Sequence, residues 1–320
     1  MYMFKYILKR IGLMILSFSV IMLVCFVLIK LLPIVINVGP GQDRDLIEAQ
    51  LRARGYYDPI MVQLVNYLKR IFLNGDFGVG VNMPEYVNKP VWDSFITRLP
   101  PTILINIYSS LIGVPIGLGL GIFAALHKNK LSDHVVSTLV MVMIAVPSIV
   151  YAFLIQYVFC FVLGWFPLIM QSGTDYLSWE MFRSMLPAVL SLTFPAIASY
   201  TRTTRAELTE VLTSEFMLLA RTKGLTKGQA TVRHALRNSM VPIFPMIIGE
   251  FVSVLSGSLV IEKIFAIPGV GALYLNSINS IDYDFFLFLS GFYCLIGLVA
   301  GIVVDISYGF IDPRIRMGAK

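Results

Sequence analysis

Few side chains in this sequence are placed to do chemistry, and those few frame the reading. Glu250 stands ten residues into the apolar run 241–261. A carboxylate at that depth of a bilayer is expensive. It either serves a pathway, or it is neutralised by a proton or by a hydrogen bond to a neighbouring helix. Both readings of Glu250 stay open at this point. His127, His134 and His234 lie in or beside basic segments and read as solvated. Cys25, Cys160 and Cys294 are far apart within apolar runs, with neither CxxC spacing nor an even framework, and read as small buried hydrophobes. There is no phosphate-cradling Gly-x-x-x-x-Gly-Lys-Ser/Thr, no His-Glu-x-x-His and no Gly-x-Ser-x-Gly. A membrane-embedded hydrolase needs paired ionisable groups, and only Glu250 is offered. An ion-coupled transporter usually carries several such groups, often with an internal repeat. Neither is seen, so energy must come from a partner.

The longest polar, basic segment in the C-terminal two thirds of the chain is 214–242, SEFMLLARTKGLTKGQATVRHALRNSMVP. It reads as two short helices meeting at a corner. Ser214 is expected to cap the first, which runs to about Lys223. Gly224 then stands where helices end in a left-handed residue. Thr226 and Gln229 have capping-box spacing, so a second helix begins there. Arg221, Lys223, Lys227, Arg233, His234 and Arg237 make the hairpin basic. Cytoplasmic loops are often basic in any case. The corner architecture favours a docking element.

The elements that must hold these residues follow from composition. The chain has 320 residues, 57% hydrophobic and 14% charged, which marks an all-α integral membrane protein. The net charge of +6 sits in loops between apolar runs, so the bilayer explains it and nucleic acid need not be invoked. Six stretches are long enough to span: 11–32, 99–126, 135–161, 185–200, 241–261 and 285–304. The first follows Lys5, Lys9 and Arg10 and outruns a signal-peptide core, predicting a retained span. Basic residues precede span 1, lie between spans 2 and 3 and between spans 4 and 5, and follow span 6 at Arg314, Arg316 and Lys320. Six spans put these four segments on one side, the cytoplasm, with both termini.

The expected divisions are 1–32 as tail and span 1, 33–98 as an external segment, 99–310 as the core with its hairpin at 214–240, and 311–320 as a tail. Within the external segment an amphipathic helix is expected at 59–72, from Ile60, Leu64, Tyr67, Leu68 and Ile71, followed by a turn at Asp76-Phe77-Gly78. Its polar face is not strongly basic, so we read it as a cap over the outer mouth in preference to an interfacial helix. Gly113, Gly117 and Gly121 form small-xxx-small patterns that predict a packing seam. Pro147 should kink span 3, and Pro187 and Pro195 should bend span 4. Tyr283 and Phe285 are expected to anchor span 6 at the interface.

Ala220-Arg221-Thr222-Lys223-Gly224-Leu225, with Val232-Arg233-His234-Ala235-Leu236-Arg237-Asn238, resembles the coupling segment of ABC-importer permeases. Almost the whole chain is similar to the B-type permease subunit of oligopeptide and dipeptide importers. The resemblance takes in Asp76-Phe77-Gly78, Val146-Pro147-Ser148, Thr201-Arg202 with Glu210-Val211-Leu212, and Gly257-Ser258 with Ile261-Glu262. It continues through Ile267-Pro268-Gly269-Val270-Gly271, Asp282-Tyr283 and the ending Asp312-Pro313-Arg314. Leu218-Leu219-Ala220 stands where the general importer pattern has Glu-Ala-Ala. His234 and Arg237 replace its Ile and Pro, while Gly224 and Leu236 keep their places.

The resemblance implies a type I importer permease fold with six spans in the bacterial inner membrane. It implies a homologous second permease, two cytoplasmic ATPase subunits and an extracytoplasmic peptide-binding protein as partners. ATP and Mg would be bound by those ATPases, with no cofactor and no enzymatic activity in this chain. Ser214, Glu215, Ala220, Arg221, Lys223, Gly224, Leu225, His234, Leu236 and Arg237 would form the ATPase-coupling element, and Glu250 and Pro147 would belong to the pathway. The same architecture also serves nickel or metal chelates and glutathione.

Overall fold

The computed structural model describes residues 2–34 and 44–311, with side chains described for 6–34, 44–309 and 311. The Asp312-Pro313-Arg314 ending and the basic tail lie outside the described residues. The described residues are helical, with only isolated bridges at Val79–Pro90 and Gly80–Val87. The helices are α1 (Tyr2–Leu31), α2 (Arg44–Ala53), α3 (Ile60–Asn74), α4 (Val91–Leu126), α5 (Leu131–Ala145), α6 (Ser148–Ile155) and α7 (Trp179–Leu212). Then follow α8 (Glu215–Thr222), α9 (Lys227–Ala230), α10 (Leu236–Ser239), α11 (Ile243–Ser253), α12 (Leu259–Ile264), α13 (Val270–Asn279) and α14 (Tyr283–Ile311). Among the described residues, five helices are long and apolar enough to cross a membrane. The bent pair formed by α5 and the 148–162 helix raises the number to six.

That pair turns through 98° at Val146-Pro147. The cause is local: proline disfavours helical backbone in the residue before it, and Val146 is extended at φ −83°, ψ 122°. In contrast, Pro187 and Pro195 both lie inside the uninterrupted helix α7. Span 4 also runs well beyond the expected 185–200, because Arg202 and Arg205 continue the helix instead of ending it.

The chain divides into two compact units, 1–100 with 268–298, and 101–267 with 299–320. In the first, Phe26, Ile29, Leu51, Tyr56, Tyr283 and Leu287 form one core, and Val91, Phe95, Val270, Leu273, Phe285 and Leu289 lie in another. Tyr283 and Phe285 are therefore core residues, 3% and 0% exposed, and not interfacial anchors. Two carboxylates organise the same unit. Asp282 accepts from the backbone N–H groups of Val81 and Asn82 at 2.7 and 2.8 Å. Burial pushes its carboxyl up, and those donors pull it part of the way back. Asp284 takes a bidentate pair from Arg70 at 3.2 and 2.7 Å, and also accepts from Val79 N–H. Helix α3 forms where expected and is closed by Gly75. Its Ile60, Leu64 and Tyr67 join the core, yet its other face exposes Met61, Val65, Leu68, Phe72 and Leu73. Asn66 and Lys69 are exposed among them, so the outward face is mixed and largely apolar.

The second unit is built on the contact between α4 and α7. Lipid provides no hydrophobic drive between helices, so small residues that let backbones approach decide the packing. A Cβ on Gly117 would lie 2.6 Å from Tyr200 Cβ, and one on Gly121 would lie 2.5 Å from Thr204 Cβ. Thr201 Oγ1 donates to the Gly117 carbonyl across the seam at 3.2 Å. Gly119, on the same helix, has nothing within 4 Å. Leucine at position 121 should therefore cost about 1–3 kcal/mol of overpacking, whereas Gly119→Leu should be close to neutral. Thermal unfolding of the two detergent-solubilised variants measures this; equal melting temperatures would remove the seam.

Candidate functional site

The hairpin begins where α7 ends at Leu212. Ser214 occupies the cap position of α8, but its hydroxyl donates backward to the Val211 carbonyl at 2.6 Å and does not accept from the helix. The expected side-chain cap is thus replaced by a bond that ties the two helix ends together.

The corner is built from backbone. Gly224 N–H donates to Arg221 O at 3.0 Å, and Leu225 N–H donates to Ala220 O at 3.4 Å. Together these are the two bonds of a Schellman ending. Its usual apolar contact is present too, since Ala220 and Leu225 share one cluster. Gly224 has φ +90°, and a Cβ there would meet nothing within 4 Å. The demand for glycine is therefore conformational and not steric. Immediately beyond, Thr226 Oγ1 accepts from Gln229 N–H at 3.3 Å, and Gln229 Oε1 accepts from Thr226 N–H at 3.1 Å. The capping box forms as its spacing predicts. The second limb runs α9, a wide π-type turn over Thr231–Ala235, and α10.

One face of the hairpin is fixed. Met217, Ala220, Ala230 and Ala235 are buried against Ala125 of α4 and Leu208 of α7, with Leu225 and Leu236 packed at the margin. The other face is open. Glu215, Arg221, Lys223 and Gly224 are exposed on the first limb and corner, and His234 and Arg237 on the second. Phe216, Leu218 and Leu219 are exposed with them, at 42%, 64% and 56%. Apolar side chains exposed beside charged ones are what an interaction surface would present. Charge drew attention to the basic residues and passed over these three. The signal was available: with Met217 and Ala220 facing inward, positions 215, 218, 219 and 222 fall on the opposite side and 216 on its flank.

The two residues expected to belong to a pathway are not brought together. Pro147 is exposed at the α5–α6 break, where it lines a cavity of about 490 Å³ with Ser148, Ser199, Arg202 and Thr203. Glu250 is half-buried on α11 and accepts from Ser110 of α4 at 3.4 Å. Two further carboxylates are buried within the second unit, though neither stands midway along an apolar run. Asp133 is fully buried on α5 and held bidentately by Arg205 of α7, at 2.5 and 2.8 Å. Glu262 is 2% exposed and accepts from Thr102 at 2.9 Å. Asp133 and Arg205 are far apart in sequence and carry no local signal of pairing. The burial of Glu262 depends on the fold around Gly257, where a Cβ would meet its carboxylate.

The model of binding-protein-dependent transport system inner membrane components matches residues 117–317. The chain belongs to that family. This inner membrane component is 34% identical to the dipeptide transport system permease protein DppB of Lactococcus lactis subsp. cremoris (strain MG1363), over 98% of this chain and 100% of that protein. It is 33% identical to the protein of the same name from Bacillus subtilis (strain 168), over 99% and 100%. The glutathione transport system permease protein GsiC of Escherichia coli (strain K12) is 31% identical over 98% and 99%. Among solved structures, an amino acid ABC transporter aligns with TM-score 0.50 at 18% identity, covering 67% of this chain and 92% of that one. The MetNI methionine ABC transporter in inward-facing form aligns with TM-score 0.50 at 14% identity, covering 68% and 97%. These two show the shared fold of ABC transporter permeases.

The corner can be tested by itself. Gly224→Val places a β-branched residue at φ +90° and should cost about 1–3 kcal/mol of local strain. Gly224→Asn, which tolerates left-handed backbone, should cost less. Limited proteolysis of the hairpin should be faster in the valine variant and near wild type in the asparagine variant; equal rates in all three would show that the corner does not need its φ.

Proposed function

We propose that this chain is the membrane-spanning permease subunit of an ATP-driven, binding-protein-dependent importer of dipeptides or oligopeptides. The observation that carries the cargo reading is the end-to-end identity of 33–34% with two dipeptide permeases. Glutathione, itself a small peptide, is the second reading, favoured by the 31% identity to a glutathione permease over the same length. In this account the chain forms half of a pathway with a homologous permease. Two cytoplasmic ATPase subunits bind below, an extracytoplasmic binding protein delivers cargo, and both termini face the cytoplasm. The chain is not an enzyme, and ATP and Mg reside in the partner ATPases.

The hairpin is the energy input. Its exposed Phe216, Leu218 and Leu219, flanked by Arg221 and Lys223, suit an apolar groove with acidic margins. Its buried face suits transmission, because a displaced hairpin carries Ala125 and Leu208 with it. Closure of the ATPase pair draws the two hairpins together and turns the pathway outward; release restores the inward state. Glu250 meets the cationic amino terminus of passing peptide, with Ser110 fixing its orientation.

Uptake of labelled dipeptide in cells carrying the complete transporter should require this chain, and Glu250→Gln should lower that uptake several-fold while leaving complex assembly intact. Unchanged uptake would remove Glu250 from the pathway. Uptake of glutathione without dipeptide would select the second reading. Ion-driven uptake by the purified chain alone in liposomes would overturn both.

A further inference from the structure

Lys30, in the last turn of α1, has no carboxylate within ion-pair distance among the described residues. Its ammonium instead lies 4.3 Å from the Tyr56 ring centre and 4.2 Å from that of Tyr283. Such contacts stabilise a cation without neutralising it. Beside it, within the first unit, is a cavity of about 100 Å³. Three cations line this cavity, Lys30, Arg54 and Arg70, against the single carboxylate of Asp284.

The wall also holds buried polar atoms with no hydrogen-bond partner among the described residues: the Tyr56 hydroxyl, Arg70 Nε and Gln63 Oε1. Orphans of this kind are costly and call for a partner. Tyr56 is 8% exposed. Burial pushes its pKa well above the usual value, so the hydroxyl remains a donor. Arg70 commits both terminal nitrogens to Asp284 and keeps its Nε–H free for another acceptor. The residues that carry these atoms line, with Lys30, one space of the size of a small oxyanion.

We propose that this cavity binds the phosphate group of a membrane lipid. The source follows from what surrounds it. Helix α1 exposes Leu16, Val20, Leu23, Val24, Leu28 and Leu31 along its length, as a lipid-facing span does. Lys30 stands where that span ends, the level at which basic and aromatic side chains meet headgroups. Helix α3 lines the cavity with Gln63, Tyr67 and Arg70, and turns Met61, Val65, Leu68 and Phe72 outward, an apolar row that acyl chains would cover. The phosphate accepts from Lys30, Tyr56 and Arg70, and Gln63 Oε1 accepts from a headgroup hydroxyl or amine.

The test is lipid retention by the assembled transporter, delipidated and then titrated with phosphatidylglycerol, diacylglycerol or inorganic phosphate, and read by native mass spectrometry. Wild type should retain phosphatidylglycerol and not diacylglycerol, and inorganic phosphate should not displace it. Lys30→Met should weaken retention at least tenfold, and Tyr56→Phe about threefold. If Lys30→Met loses its melting transition, Tyr56→Phe, which removes one oxygen, decides alone. Undiminished retention in the variants that fold, or equal retention of diacylglycerol, would overturn the site. Displacement by inorganic phosphate would overturn the lipid as its source.

Discussion

The backbone contact between α4 and α7 is the constraint on which the second unit depends. Two helices in lipid gain little from apolar area, since acyl chains are as apolar as leucine; they gain from close approach. Gly113, Gly117 and Gly121 allow Ala196, Tyr200 and Thr204 to come so near that a Cβ would not fit at two of the three positions. The seam then leads to the hairpin. Just past its end, Ala125 of α4 and Leu208 of α7 form the seat of the hairpin. A hairpin resting on one helix would rock; resting on two that are locked together, it moves as part of the unit.

Buried polar groups supply the specificity that apolar packing lacks. Asp133 with Arg205 ties α5 to α7, Thr102 with Glu262 ties α4 to α12, and Arg70 with Asp284 ties α3 to α14. Each is a pair whose separation would strand a buried charge or acceptor, so each fixes one arrangement of helices over near alternatives. The hairpin uses the same logic on a smaller scale. Its corner is specified by a Schellman ending, a left-handed glycine and a capping box in succession, which leaves no freedom in the angle between its limbs.

What was legible in the sequence was what local physics determines. The apolar runs, the break at Pro147, the closure of α8 at Gly224, the capping box and the glycine seam all depend on residues within a few turns of one another. What was not legible depends on the fold. The Ser214 hydroxyl had two partners within reach, and the tight link to Val211 decided between them. Tyr283 and Phe285 have the composition of an interfacial belt, but packing against Tyr56 and Tyr86 takes them inside. Helix α3 showed one apolar face by periodicity, and its second went unread because an amphipathic pattern leads the eye to a polar remainder. The open face of the hairpin was half read. Basic residues are conspicuous in a greasy chain, whereas Phe216, Leu218 and Leu219 are conspicuous only once Met217 and Ala220 are seen to point inward.

The central claim is that the open face of α8 is where a cytoplasmic ATPase seats. Co-purification from native membrane tests it most directly, comparing wild type with the double variant Leu218→Asp, Leu219→Asp, which alters two exposed side chains and none of the buried seat. The account predicts that wild type brings down a homologous permease and the ATPase subunits, and that the variant keeps the permease and loses the ATPases. ATPase subunits retained by the variant at wild-type stoichiometry would contradict it.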